Sequence, residues 1–405
     1  MISAVSSGQL AIHGGTPVRT RPFPSWPKFS DDEVAAVADV MRSGRVNYWT
    51  GDQGREFERE FAAFAECRHA VAVANGTVAL ELALRAFGIG QGDDVITSSR
   101  TFVASASCIS MVGARPVFAD VDSDSGNITA STIRDVLTPR TRAVIAVHLA
   151  GWPCDMASIM DVARERNLIV IEDCAQAQGA TLQGRSVGSF GDAAAFSFCQ
   201  DKIMTTLGEG GMLVTSDSGA WECASAFKNH GRRQSVEESG DGRGFRWLSD
   251  SIGTNWRMTE VQAAVGRIQL RKTEFWLRVR RQHATTLAVR LKEIPLLRVP
   301  LPPSEANAVW YRFYAFLRQE RLKPGWNRDR VLDAIIAEGV PCFAGSCSEV
   351  YLEKAFRNES SAVRLPVARQ LGETSLAFLT HPELAPDDIA DICSAVGKVM
   401  REAGA

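Results

Sequence analysis

Short apolar segments alternate with amphipathic segments along the chain from about residue 70. The apolar segments predict strands over residues 69–73, 94–98, 115–120, 143–148, 169–172, 193–197 and 212–215. A helical period between them predicts helices over residues 78–87, 103–112, 131–137 and 156–165. Strands that alternate with helices in this way indicate an α/β domain built on a mostly parallel sheet.

Several of the predicted strands are apolar on both faces. Strands such as "VIAVHL" and "LIVIED" carry almost no polar residue before their last positions. A strand needs that composition when helices cover both sides of the sheet. We therefore predict a seven-stranded, mostly parallel sheet sandwiched by helices. Ligands of such sheets gather at the carboxyl ends of the strands.

Together with the regions on either side, this pattern predicts that the chain is divided into three parts. Residues 1–50 hold a Gly/Pro-rich arm and one helix. Residues 51–270 hold the large domain, and a long helix over about residues 259–293 connects it to the C-terminal part. Residues 271–405 predict a smaller C-terminal α/β domain, with strands near "WYRFYAFL".

Composition and charge argue against several classes of protein. The formal net charge of −2 gives no global field for nucleic acid or an anionic membrane. No run of about 18 apolar residues could cross a membrane, and the start of the chain has no signal-peptide pattern. The nine cysteines form no C-x-x-C pair, so we expect neither a metal site nor a disulfide framework. We therefore expect a cytoplasmic protein.

Polar residues stand at three places where the fold favours apolar ones. Lys202 follows the predicted strand 193–197 and precedes a glycine cluster. Asp173 ends another strand, with Gln176 three residues later, and Asn75-Gly76-Thr77 follows a third strand at the start of a helix. The unsatisfied N–H groups of a helix start can bind an anion. These places are candidates for one binding site.

Together, the three places suit pyridoxal phosphate (PLP). A lysine can form a Schiff base with the aldehyde of PLP. An acid can pair with the pyridine nitrogen and keep it protonated, so that the ring withdraws electrons from a carbanion. A helix start can bind the phosphate, and glycines beside the lysine let the ring approach the backbone.

Motifs along nearly the whole chain carry a resemblance to one family. In order, they are "NGTVALELAL", "TFVASAS", "VHLAGWPCDM", "EDCAQAQGA", "SFCQDK" with "GEGGM", and "GTNWRMTEVQAAVG". In these motifs the chain resembles the PLP-dependent sugar aminotransferases called the DegT/StrS family. The resemblance implies PLP-dependent transferase fold type I, the fold of aspartate aminotransferase. In related sugar dehydratases the lysine is commonly a histidine, so Lys202 favours amino transfer.

The resemblance implies roles for four residues around the ring of PLP. Lys202 would hold the Schiff base and move the proton at the substrate carbon. Asp173 would pair with the pyridine nitrogen. Gln176 would bond the ring hydroxyl, and Phe102 would stack on the ring face.

The resemblance also implies how the phosphate is bound. Gly76, Thr77 and Ser197 would hold it within one subunit. Asn255 would reach the phosphate from a second subunit, so the active site would be shared and the protein a homodimer.

Four further residues lie in or near the matching motifs and are weaker candidates for the substrate pocket. His148, His230 and Arg257 are expected to contact sugar hydroxyls or the carboxylates of the amino donor. Tyr48 lies where the family's first helix delivers the chain to the pocket, and a purely structural role for it stays open.

The resemblance implies a ping-pong transamination. Glutamate or glutamine would give its amino group to PLP, and the ketone of a sugar would accept it. The expected acceptor is a nucleotide-linked 4-keto or 3-keto hexose of lipopolysaccharide or other surface-polysaccharide assembly. Three alternatives stay open: a keto-cyclitol (inosose-type) aminotransferase, an amino-shikimate-type dehydratase of antibiotic biosynthesis, and a PLP-sensing regulator without activity. The regulator would need a DNA-binding segment, and the sequence offers no such pattern.

Overall fold

The computed structural model describes residues 8–232, 249–357 and 363–405. Numbered along the chain, the strands are β1 (His69–Val73), β2 (Asp94–Ser98), β3 (Arg115–Ala119), β4 (Thr141–Val147), β5 (Ile169–Asp173), β6 (Thr181–Leu182), β7 (Arg185–Ser186), β8 (Ala193–Ser197), β9 (Gly211–Thr215), β10 (Leu297–Arg298), β11 (Ala306–Asn307), β12 (Phe313–Leu317) and β13 (Ser375–Phe378). The α-helices are α1 (Asp31–Ser43), α2 (Gln53–Phe64), α3 (Gly76–Ala86), α4 (Ala104–Met111), α5 (Ala130–Asp135), α6 (Met156–Arg166), α7 (Ser218–Phe227), α8 (Glu260–Lys292), α9 (Arg328–Ala337), α10 (Pro366–Thr374) and α11 (Pro386–Ala403). The seven strands predicted from the sequence are all present, with small shifts at their ends.

Seven strands form the central sheet, in the order β1–β9–β8–β5–β4–β2–β3. Five of them, β8, β5, β4, β2 and β3, run parallel, whereas β9 is antiparallel to both of its neighbours. The prediction of a seven-stranded, mostly parallel sheet is confirmed. The antiparallel pairing of β8 with β9 returns the chain directly after the turn that carries Lys202.

Successive residues of the strands face opposite sides of the central sheet. On one side, Val71, Ala195 and Leu213 pack with residues of α3, α4 and α7. On the other side, Phe196 and Met212 pack with residues of α2 and α8. Helices therefore cover both faces, as predicted, and this explains why the strands are almost entirely apolar.

A smaller antiparallel sheet, ordered β10–β12–β13, lies in the C-terminal part of the chain. Phe313, Ala315 and Leu317 of β12 belong to a separate apolar core that includes residues of α8, α9 and α11. Tyr314 and Phe316 lie on the alternate face of the same strand. One face of β12 thus completes the C-terminal core. The opposite face of the strand is therefore available to contact the part of the chain that forms the central sheet.

Helix α8 runs for 33 residues and leads from the central sheet to the smaller one. The prediction of a long helix over residues 259–293 is confirmed. The predicted boundary at residue 270 falls inside this helix, and the division into parts 1–50, 51–270 and 271–405 stays a prediction. In the described ranges of the chain, none of the helices is both long and apolar enough to cross a bilayer.

The carboxyl ends of several strands meet at one edge of the central sheet. β1 is antiparallel to β9, and β9 is antiparallel to β8, so β1 points in the same direction as the parallel strands. Asn75, Asp173 and Ser197 stand at or just beyond the ends of β1, β5 and β8. Residues far apart in sequence are thereby brought to the same edge, because parallel strands end together.

Candidate active site

A cavity of about 670 Å³ lies between this edge of the central sheet and the smaller sheet. Seven residues predicted from the sequence line it: Gly76, Thr77, Phe102, Asp173, Gln176, Ser197 and Lys202. The structure therefore brings the three polar places of the sequence into one pocket.

Lys202 lies in the turn between β8 and β9. Its N–H donates to the Cys199 carbonyl at 3.1 Å, and its carbonyl accepts a hydrogen bond from Trp26 Nε1 at 2.8 Å. Its Nζ lies 5.0 Å from the centroid of the Tyr311 ring. Trp26 belongs to the N-terminal arm and packs edge-on against Trp276 of α8, at 5.1 Å between centroids. The arm therefore fixes the backbone of the lysine turn, and the side chain is left to the cavity.

Asp173 is 6% exposed at the end of β5. Its Oδ2 accepts a hydrogen bond from Ser105 Oγ at 2.7 Å, and its Oδ1 accepts one from the Ala175 N–H at 3.1 Å. Ser105 Oγ also lies 2.7 Å from Thr101 Oγ1. A carboxylate can accept about four hydrogen bonds, so both oxygens keep capacity for a further donor from the cavity.

Gln176 follows in the loop after β5. Its Oε1 accepts a hydrogen bond from the Ala150 N–H at 2.7 Å. The amide group is therefore oriented, and its Nε2 has no hydrogen-bond partner among the described residues. This leaves an N–H donor for a ligand oxygen, which agrees with the predicted bond to a ring hydroxyl.

The start of α3 forms an open anion site. Asn75 caps the helix, because its Oδ1 accepts from the Val78 N–H at 3.0 Å. That cap leaves the N–H groups of Gly76 and Thr77 without a partner in the described hydrogen bonds. A Cβ on Gly76 would lie 2.7 Å from Ser197 Cβ, so only glycine fits this close approach. The helix dipole and two neighbouring hydroxyl groups favour a phosphate here.

Phe102 lies at the wall of the cavity with 66% of its surface exposed. An aromatic face that the fold does not cover is available to stack on a flat ring. Together with the free Gln176 amide and the open start of α3, this exposed ring shows that the pocket has groups for each part of PLP. The residues present therefore fit the cofactor.

The structure corrects the expectation for Tyr48. Its side chain is enclosed, with only 2% exposed, and its hydroxyl donates to Glu58 Oε2 at 2.8 Å. The Nζ of Lys228 lies 4.3 Å from the ring centroid and pairs with the same Glu58. Tyr48 does not line the cavity; it packs over a buried ion pair, and burial and the Glu58 charge raise the pKa of its phenol.

The structure also corrects the expectation for His148. Its ring is fully buried, Nδ1 accepts from the Cys154 N–H at 2.9 Å, and Nε2 lies 2.9 Å from Glu172 Oε2. Both ring nitrogens are therefore occupied within the protein, and neither can reach a sugar hydroxyl. His148, Glu172 and Cys174 bring metal-ligand atoms within 4.8 Å of one another. Because the Glu172 oxygens also accept three backbone N–H bonds, the group is explained as a structural network.

Glu172 should be important for stability. Its carboxylate accepts hydrogen bonds from the N–H groups of Gly188, Phe190 and Gly191 at 2.7–2.8 Å, and it is fully buried. Glu172→Ala leaves these donors and His148 without an acceptor, so we expect a loss of about 3–5 kcal/mol in the free energy of unfolding. Urea denaturation followed by circular dichroism measures the loss.

The matched control is Glu165→Ala, which removes a glutamate that is 55% exposed and pairs with Arg134 at the surface. Exposed pairs contribute less than about 1 kcal/mol. Equal losses in Glu172→Ala and Glu165→Ala would contradict the structural role of Glu172.

Asn255, His230 and Arg257 lie outside the cavity of their own subunit. Asn255 is exposed and its backbone bridges to Asn229, while that of Arg257 bridges to Val73 at the end of β1. His230 is also exposed. A role for Asn255 across a dimer interface stays a prediction, and so do the contacts of His230 and Arg257 with substrate.

The cavity also contains polar side chains that the sequence interpretation missed. Tyr311 Oη donates to Asp201 Oδ2 at 2.5 Å, and Arg312 Nη2 donates to the same oxygen at 3.3 Å. The segment "WYRFYAFL" alternates, which places Arg312 and Tyr314 on one face, and this was the available signal. Its proximity to Asp201 could not be inferred, because 110 residues separate Asp201 from Tyr311.

The sequence profile of the DegT/DnrJ/EryC1/StrS aminotransferase family matches residues 27–397. An aminotransferase structure from Psychrobacter cryohalolentis is 49% identical, with a TM-score of 0.92, over 94% of this chain and 100% of that one. The UDP-N-acetyl-3-dehydro-alpha-D-glucosamine 3-aminotransferase of Acidithiobacillus ferrooxidans is 37% identical over 91% of this chain and 94% of its own. The L-glutamine:2-deoxy-scyllo-inosose aminotransferase of Streptomyces kanamyceticus is 32% identical over 98% of each chain. The predictions of fold type I and of amino transfer are confirmed, and the chain belongs to the DegT/DnrJ/EryC1/StrS aminotransferase family.

Proposed function

We propose that this aminotransferase uses PLP to move the amino group of glutamate or glutamine to the ketone of a nucleotide-linked 3-keto or 4-keto hexose. The observation that carries the proposal is the convergence of Lys202, Asp173 and the open start of α3 on one cavity. An amine, an acid and an anion site at one strand edge match the three functional ends of the cofactor.

The residues of this chain have separate tasks in the reaction. PLP, when bound, supplies a ring that stabilises negative charge on the substrate carbon. Asp173 would keep the ring nitrogen protonated, and Gln176 Nε2 would donate to the ring hydroxyl. Phe102 would cover one ring face. Lys202 Nζ acts as the general acid and base that moves a proton at the substrate carbon in both halves of the reaction.

A homodimer with a shared site is part of the proposal. Gly76, Thr77 and Ser197 supply phosphate contacts from one subunit, and Asn255 supplies one from the other. The exposure of Asn255 and its position outside its own cavity support this arrangement.

The cavity volume is in the range that ligands occupy in proteins. Pockets for ligands of drug size occupy about 300–1,000 Å³, and the 670 Å³ here must hold PLP together with the substrate. A keto-cyclitol is the second candidate, because a relative that matches almost the whole chain carries an inosose aminotransferase name. A cyclitol lacks the phosphates of a nucleotide sugar, so the two candidates differ in charge as well as in size.

The experiment that tests the proposal uses the amine form of the loaded enzyme. This form is incubated with a panel of nucleotide-linked keto-hexoses and of free keto-cyclitols, and the return of the aldehyde absorbance is followed. We expect at least one nucleotide-linked ketone to restore the absorbance fastest. Restoration by cyclitols alone would select the second candidate, and no restoration by any ketone would reject both.

Gly76→Ala should weaken PLP binding. The added Cβ would lie 2.7 Å from Ser197 Cβ and would force the two phosphate-binding segments apart. Overpacking costs about 1–3 kcal/mol, so we expect the Kd of PLP to rise about 10- to 100-fold. Absorbance titration of PLP into cofactor-stripped protein measures the change.

Gly397→Ala in α11 is the matched control. Its Cβ would meet nothing closer than Arg401 Nη1 at 3.6 Å, and alanine favours a helix. We expect an unchanged Kd in this variant. A wild-type Kd in Gly76→Ala as well would remove the start of α3 from the phosphate site.

A further inference from the structure

The wall of the cavity opposite the central sheet carries a guanidinium group. Among the described residues that line the cavity, Lys202 and Arg312 are the cations. In the proposed function the Lys202 amine is committed to the cofactor and to proton transfer. Arg312 is then the cation in the described part of the cavity that is available to bind an anionic substrate group.

The guanidinium of Arg312 is oriented by its neighbours. Its Cζ lies 4.7 Å from the ring centroid of Tyr311 and 5.8 Å from that of Phe343. Among the described residues it forms one ion pair, the 3.3 Å contact from Nη2 to Asp201 Oδ2, an oxygen that also accepts from the Tyr311 hydroxyl. Within the described chain Nε and Nη1 have no partner. Nη2 uses one of its two N–H groups on Asp201, and its second N–H can still donate in parallel with that of Nε or Nη1, which is the geometry that a carboxylate requires.

A second arginine increases the positive potential behind this wall. Arg280 of α8 is fully buried, and its Nε and Nη2 have no hydrogen-bond partner in the described structure. Its single bond is from Nη1 to Thr380 Oγ1 at 3.4 Å. Burial, with repulsion from Arg312, lowers the pKa of Arg280 to about 9. Arg280 and Arg312 therefore repel each other, Asp201 pairs with Arg312, and an anionic ligand beside Arg312 would offset the repulsion.

The position of Arg312 selects which anion it binds. Lys202 Nζ and Arg312 Cζ lie 5.0 and 4.7 Å from the centroid of the same Tyr311 ring, and Arg312 pairs with Asp201, the residue directly before Lys202. The α-carboxylate of an amino acid is attached to the carbon that reacts at the lysine. The diphosphate of a nucleotide sugar is separated from its ketone carbon by most of the sugar ring.

We propose that Arg312 binds the α-carboxylate of the amino donor and so selects α-amino acids in the donor half of the reaction. The proposal rests on the proposed function for the identity of the reaction. It adds a specificity residue that lies 110 positions from the lysine in the sequence and comes from the C-terminal part of the chain.

The test compares wild type with Arg312→Leu and Arg312→Lys in the donor half-reaction of the loaded enzyme. Three donors are used: L-glutamate, L-2-aminobutyrate, which lacks the side-chain carboxylate, and 4-aminobutyrate, which lacks the α-carboxylate. For Arg312→Leu we expect the apparent Kd to rise about 10²-fold for the first two donors and to change little for the third. Arg312→Lys keeps the charge but lacks the planar fork, so its apparent Kd values should lie between those of wild type and those of Arg312→Leu.

Binding without turnover gives an independent readout. Calorimetric titration of the loaded enzyme with glutarate, an inert dicarboxylate, should show the same loss of affinity in Arg312→Leu. Arg318→Leu is the matched control. Arg318 directly follows β12, whereas Arg312 directly precedes it, and Arg318 does not line the cavity. Its donor kinetics and glutarate affinity should equal those of wild type.

Several outcomes would overturn the proposal. They are a wild-type response of Arg312→Leu to L-glutamate, unchanged glutarate affinity, or a loss for L-glutamate that spares L-2-aminobutyrate. A loss confined to the ketone half-reaction would assign Arg312 to the acceptor, and a donor defect found only in Arg257→Leu would assign the carboxylate to that arginine. A wild-type enzyme inert to all three donors and to L-glutamine would instead reject the proposed function, so the two failures are distinct.

Discussion

Replacing Lys202 with alanine is expected to lower transamination by about 10⁴-fold and to abolish the covalent linkage between protein and PLP. The lysine supplies the only amine in the described cavity wall, and it serves both as the attachment point and as the general acid and base. Borohydride reduction of the wild-type enzyme, followed by peptide mass analysis, should place the cofactor mass on the peptide that contains Lys202.

Two further variants make this result specific. Lys202→Arg keeps a positive charge but has no nucleophilic amine, so it should be as inactive as the alanine variant. Lys28→Ala removes a lysine that is 74% exposed and should behave as wild type. A cofactor label on any lysine other than Lys202, or a retained linkage in Lys202→Ala, would contradict the assignment.

Replacing Asp173 with asparagine is expected to lower turnover by about 10³-fold while the fold is kept. Asparagine has the same shape and can still accept from Ser105 Oγ, but it carries no charge to keep the ring nitrogen protonated. Loss of one such electrostatic contact typically costs about 10²–10³-fold in rate, and here the whole charge is removed. Single-turnover kinetics with L-glutamate measure the effect.

The comparison with Ser105→Ala separates the effect of the Asp173 charge from the effect of its hydrogen bond with Ser105. That variant removes the donor to Oδ2 and leaves the carboxylate in place, so we expect a loss of only about 10-fold. Near wild-type turnover in Asp173→Asn would remove Asp173 from the mechanism. An equal loss in both variants would show that orientation, and not charge, is what Asp173 provides.

The central sheet could be predicted because each strand carries its own local signal. Segments such as "VIAVHL" must be buried on both faces, and Asn75 and Ser30 mark helix starts by their capping chemistry. The pairing order and the reversal of β9 were not encoded in any single segment. The two-residue strands β6, β7 and β11 were not predicted, since two residues are too few to form a periodic pattern.

The candidate site, like the fold, could be predicted from the sequence only in part. Gly76, Asp173 and Lys202 each lie at or beyond the end of a strand, so the edge where they meet follows from the parallel sheet. Tyr48 and His148 could not be placed, because burial depends on partners distant in the chain, such as Glu172 for His148. Arg312 was missed for the opposite reason: its strand was predicted, but its approach to Asp201 depends on how the C-terminal core packs on the central sheet.

The hydrogen bond from Trp26 to the Lys202 carbonyl has a practical consequence for anyone who shortens this protein. The bond joins residues 176 positions apart, and it ties the first segment of the chain to the turn at which the chemistry takes place. A trimmed version that begins after residue 27 would retain every strand yet leave the lysine turn without its anchor. Fusion tags and protease cleavage sites are therefore best placed well ahead of the indole.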